Sequence, residues 1–198
     1  TANIKNSIFH TFQDYGILAI NSSISAKNLV MNNCGEACFA VYKGGNIEIL
    51  HSTLANYWSL NSAMAGLSLF ASNEWTSNTT TETAPLSLNV QNSILYSRRD
   101  NGVVFKQNTA QTFTYKIANS LLKYGNNAGF DFDGNVLITQ SIKNESPEFQ
   151  NYFTQKMNLR LKENSPAKGK GNSQTAQQIP LDIKKINRTI SPNMGAYQ

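Results

Sequence analysis

Charged side chains are scarce in this chain of 198 residues: Asp, Glu, Lys and Arg together make up 15%, against about a quarter in ordinary soluble domains. Cysteine and histidine occur twice each and proline five times. No run of about 18 apolar residues is present, so no helix of membrane-spanning length is written. The opening "TANIKNSIF" has no basic region followed by an apolar stretch, and so does not read as a signal peptide. No window sustains apolar residues at i, i+3, i+4 and i+7 over three turns, which argues against a helical architecture. G-x-S-x-G, a phosphate loop and nucleic-acid motifs are all missing, and no nucleic-acid partner is expected. Neither His10 nor His51 has a nucleophile arrangement around it.

Asn, Ser and Thr take the place of charge. Short polar side chains suit turns and serve helix interiors poorly, so their abundance points to a β-rich chain. The net charge of +5 is concentrated at one end. Residues 1–155 hold 9 basic and 10 acidic side chains, a net of −1, whereas residues 156–198 hold 8 and 2, a net of +6. The tail is either a solvated basic end-piece or an anion-binding surface.

A repeat runs through the body. Aligned on one position, the segments read "IKNSIF" (Asn6), "AKNLVM" (Asn28), "ILHSTL" (His51), "VQNSIL" (Asn92), "IANSLL" (Asn119) and "ITQSIK" (Gln140). Their spacings are 22, 23, 41, 27 and 21 residues. Short apolar segments accompany them: "GILAI" (16–20), "CFAVY" (38–42), "GLSLF" (66–70), "GVVF" (102–105) and "GFDF" (129–132), with "LSLNV" (86–90) and "TFTYKI" (112–117) between. Two or three short strands per repeat predict an all-β solenoid whose stacked coils pair in parallel. At the repeated corner an inward-facing Asn can bond its own turn, tolerate a left-handed φ and bond the amide of the next coil. His51 and Gln140 carry a donor and an acceptor and can fill the same rung.

With these residues the chain resembles right-handed parallel β-helices of the pectate-lyase-like kind, whose asparagine ladder Asn6, Asn28, Asn92 and Asn119 match. The resemblance implies about five to six coils over residues 1–144. The remainder, 145–198, resembles the C-terminal cap of bacterial surface β-helix proteins. "SPEF" (146–149), "LKENSPAKGKG" (161–171), "LDIKKINR" (181–188) and "MGAYQ" (194–198) fill that cap's slots, with Ser146 where an acidic residue is usual and Lys185 where Gly is. It implies an extracellular, cell-surface or periplasmic setting, and a tail packed on the last coil to cover its open edges. The other end enters the repeat at once, so further coils are expected before Thr1.

Candidate chemistry is thin. Residues 72–85, "SNEWTSNTTTETAP", read as an inserted loop, and long loops are functional or mobile. Trp75 beside Glu74 is a candidate for stacking on a sugar face, with Arg98, Arg99 and Asp100 as neighbouring polar contacts to a glycan. "FDFDGN" places Asp131, Asp133 and Asn135 as in part of a calcium loop, without the bidentate Glu, and reads equally as a tight turn. Cys34 and Cys38 are either a local disulfide or two small buried residues; as a pair without nearby histidines they make no zinc set. Two functions stay open: a non-catalytic glycan-binding or scaffold domain, or a polysaccharide lyase or glycoside hydrolase. A lyase like those on this fold would draw on acidic calcium ligands with an Arg or Lys base, and a hydrolase on facing carboxylates.

Overall fold

The computed structural model describes residues 1–125 and 131–198. Just over half of the chain, 51%, is strand and 4% is helix. The strands are β1 (Ala2–Phe12), β2 (Tyr15–Cys34), β3 (Ala37–Leu50), β4 (Thr53–Asn56), β5 (Leu67–Ser72), β6 (Glu74–Ser77), β7 (Thr80–Thr83), β8 (Leu86–Gln91), β9 (Ile94–Ser97), β10 (Val103–Lys106), β11 (Phe113–Ala118), β12 (Leu121–Leu122), β13 (Ile138–Thr139) and β14 (Ile142–Lys143). All but β6 and β7 join one parallel sheet of 12 strands, and the nine strands of its main path curl through 303° in a solenoid-like form.

The register follows the spacings of the sequence. Lys5 pairs with Lys27, Val30 with Thr53, Thr53 with Ile94, Ile94 with Leu121, and Leu121 with Ile142. These steps are 22, 23, 41, 27 and 21 residues, taken from the same pairs. Like therefore stacks on like. Ile4, Ala26, Ile49, Val90, Ile117 and Ile138 stand one above another. The four middle ones are fully buried, which removes their aliphatic surface from water.

All six corner residues take the left-handed conformation, with φ between 44° at His51 and 53° at Asn28. A left-handed residue swings the following N–H out of the strand ladder, and a buried N–H needs a partner. The serine that follows the corner residue one repeat on supplies it, which builds a serine ladder. Each serine hydroxyl donates to the carbonyl two residues back: Ser52 to Leu50, Ser93 to Gln91, Ser120 to Ala118 and Ser141 to Thr139, at 2.9–3.0 Å. The same oxygen accepts the N–H at the matching position one repeat earlier. Leu29 donates to Ser52, Ser52 to Ser93, Ser93 to Ser120 and Ser120 to Ser141, at 3.1–3.2 Å. Ser93→Ala should cost about 1–3 kcal/mol in a urea titration, because it strands the buried N–H of Ser52. An unchanged midpoint would show that this N–H finds water instead.

The 41-residue step contains two separate additions. Ala37 pairs with Leu67, 30 residues on, so the corner 57–66 is enlarged first. The rest lies in residues 73–85. These do not form the structureless loop that their Thr-rich composition suggested: β6 and β7 pair as an antiparallel hairpin whose turn residue Asn78 has φ 54°. Thr at 76, 80, 81 and 83 is β-branched and favours extended backbone. The apolar segment at 129–132 falls partly outside the described residues; Asp131 and Phe132 are not in a strand.

The tail adds β15 (Phe149–Asn151), β16 (Asn158–Leu161) and one short helix, α1 (Ser173–Gln178). Instead of closing only the end of the stack, it lies lengthwise along the corner side of several repeats. Asn28, Thr53, Asn92 and Asn119, from four different repeats, all bond to tail residues. Phe149, Leu159, Ala167, Met194 and Ala196 are buried against Val30, Ala55, Ile94 and Leu121. Two apolar surfaces, one on each partner, dictate this placement.

Candidate functional site

The ladder residues meet the tail rather than lining up solely on one another. Asn28 Nδ2 donates to Asn6 Oδ1 and to the Leu181 carbonyl, both at 2.9 Å. Asn92 Nδ2 lies 2.8 Å from His51 Nε2 and donates to the Asn172 carbonyl at 2.9 Å, while Asn92 Oδ1 accepts the N–H of Asn172 at 2.7 Å. Asn119 reaches the Lys170 carbonyl at 3.5 Å, and Gln140 is exposed. The tail inserts Arg188, only 1% exposed, whose Nη2 donates to Asn28 Oδ1 at 2.8 Å and whose other bonds go to the Gly195 and Ala196 carbonyls. Burial pushes the Arg188 pKa down to about 10, against the pull of Asp182. Asp182 holds its own loop closed by accepting N–H bonds from Lys184, Ile186 and Gln198. Lys185, where the cap pattern has Gly, sits in that loop at φ 68°.

Laying the tail along the repeats creates a cleft at its far border. The cleft, of about 530 Å³, lies between the enlarged corner 57–66 and the start of the tail and includes Tyr57, Trp58, Leu60, Arg98, Tyr152 and Phe153. Tyr57 and Tyr152 stack at 4.1 Å and 11°, and Tyr152 meets Phe153 at 4.8 Å. Phe153 is 63% exposed, whereas Trp58 is 7% exposed and anchored by its indole N–H to the Asn61 carbonyl. Arg98 is exposed, lines the cleft and an adjoining recess of about 230 Å³, and forms no ion pair among the described residues. No Asp or Glu lines either space. Burial raises the Tyr57 pKa far above its ordinary value, so its hydroxyl stays protonated.

The other candidates fall elsewhere. Trp75 is half-buried on the hairpin and packs edge-on against Tyr42 at 4.9 Å. Glu74 is held by Lys106 at 2.6 Å and by Asn108 at 2.8 Å, and these two bonds keep its carboxyl below the usual range. Arg99 is turned to the backbone of the enlarged corner, donating to Ser62 at 2.9 Å and to Met64 at 3.4 Å. Arg99 flanks Gly66 at the head of β5 and Trp75 lies beyond the other end of that strand, packed on Tyr42, so the structure does not bring the two together. Asp100 is exposed, 3.7 Å from Lys123. Asp131 caps the N–H of Asp133, Asn135 turns its amide to the Asp131 carbonyl, and Asp133 pairs with Lys143. Among the described residues no three Asp, Glu, His or Cys side chains converge as a metal set. Cys34 and Cys38 are buried free thiols, not a disulfide; burial raises the pKa of Cys38, and a hydrogen bond with Cys38 lowers that of Cys34.

No helix is long and apolar enough to cross a membrane among the described residues. Comparison with protein-family models, with curated proteins and with solved structures gave no match.

Proposed function

We propose that the chain is a right-handed parallel β-helix of about five to six coils, part of an exported or cell-surface protein, and that it binds glycan without transforming it. The observation that carries this reading is the cleft at the enlarged corner: four aromatic residues and one guanidinium without an ion pair among the described residues, with no carboxylate in the lining. Aromatic faces stack on the apolar faces of sugar rings, and a guanidinium forks onto hydroxyls or a carboxylate. An enzyme of the hydrolase kind would place two carboxylates across the bound chain, and the acids that flank Arg98 and Tyr152 in sequence, Asp100 and Glu148, are paired with Lys123 and Lys162.

Calorimetric titration with neutral and uronate-bearing oligosaccharides tests the proposal. Tyr152→Ala/Phe153→Ala should weaken binding at least tenfold, and Trp75→Ala should leave it unchanged. Absence of binding to every oligosaccharide removes the glycan reading. Binding lost with Trp75→Ala and kept in the double variant moves the site to the hairpin.

A further inference from the structure

The opposite border of the tail holds a second recess, of about 250 Å³, between α1 with its following loop and the first two repeats. Lys5, Lys27 and Lys185 line it together with Asn6 and Asn28. Lys5 and Lys27 are direct partners across β1 and β2, so the register sets two like charges side by side. Such a pair is unfavourable unless something of opposite sign lies between. Glu48 offsets Lys27, at 3.3 Å and from outside the recess, while Lys5 and Lys185 have no carboxylate within ion-pair distance among the described residues.

The acid on the rim is otherwise engaged. Asp182 is 1% exposed and spends its carboxylate on three backbone N–H groups. Beneath the recess, the buried Arg188, its charge partly offset by that of Asp182, reaches the wall through Asn28. Asn28 is fully committed, but Asn6 uses only its Oδ1, and its Nδ2 has no acceptor among the described residues. Three ammonium groups and a free amide around a space of this size, over a buried guanidinium, are complementary to one small oxyanion.

We propose that this recess is an oxyanion site, taking a sulfate or carboxylate group held by Lys5, Lys185 and the Asn6 amide. The oxyanion can be a free ion or a substituent on a glycan. The site is independent of the aromatic cleft: β2 runs from Asn28 to Asn33, on the cleft's rim, over roughly 16 Å.

Side-chain amide resonances of Asn6 and Asn28, followed by 15N–1H NMR, test the proposal at constant ionic strength. Sodium sulfate and a sulfated or uronate oligosaccharide are titrated separately into wild type, Lys5→Gln/Lys185→Gln and Phe153→Ala. Saturable shifts, weakened at least tenfold in the lysine variant and unchanged in Phe153→Ala, support it. Saturation by sulfate assigns the site to small anions; saturation by the oligosaccharide alone assigns it to a substituent. No saturation with either, or equal affinity in the lysine variant, overturns it. Because Phe153→Ala reports on the cleft, loss of the glycan reading leaves this result standing.

Discussion

Arg188→Met is expected to lower the unfolding free energy by about 2–4 kcal/mol, since the apolar side chain cannot donate and leaves buried acceptors without a partner. Those acceptors are Asn28 Oδ1 and the Gly195 and Ala196 carbonyls. Burying a guanidinium is itself costly, and replacing an entire buried polar set by apolar residues can be neutral. Here only the donor is removed, so the penalty dominates. Denaturation in urea checks the value, and the fluorescence of Trp58 reports whether the cleft opens as the tail loosens. A variant as stable as wild type would mean that Arg188 is not holding the tail to the ladder.

Acid should weaken the fold well before carboxylates titrate. His51 is fully buried; Nε2 faces Asn92, and Nδ1 makes no well-formed hydrogen bond among the described residues. Burial first, and the charge of Arg188 second, push its pKa down to about 3, with the Gly195 backbone offsetting part of this. The ordinary value is about 6.5. Between the two, the unfolded chain binds a proton that the folded chain refuses, so stability rises with pH across this window. It is full above about pH 6.5 and falls by roughly 2 kcal/mol on going down to pH 5. His51→Asn, which keeps an amide tolerant of the left-handed corner, should abolish that slope between pH 7 and 5. An equal slope in both proteins would place the titrating group elsewhere.

The sequence showed the repeat because parallel stacking forces equivalent residues into register, so spacing and pairing are the same quantity. Corner geometry was equally legible, since Asn is the residue that best tolerates a left-handed φ. The serine after it was visible in every "NS" pair, yet its role depends on an N–H one repeat away. The tail's course was hidden, because Asn28 and Arg188 meet across 160 residues of chain. Trp75 stands out as an aromatic in a Thr-rich stretch, while Tyr57 and Trp58 lie outside every repeated segment. The signal for the latter was there: two consecutive aromatics just after the buried corner amide Asn56, which bonds Cys34 and Leu67 and fixes the turn. The cleft itself needs Tyr152 and Phe153 from the tail, and no local pattern announces that pairing.

Both proposed sites exist only where the tail borders the repeats, and so both require the tail to lie along the ladder. A nuclear Overhauser spectrum of the 15N-labelled protein tests this directly. Cross-peaks should join the Asn92 side-chain amide to the Asn172 N–H, and the Asn28 amide to the Arg188 guanidinium. Tail resonances at random-coil positions, with no cross-peaks to Asn28 or Asn92, would contradict it.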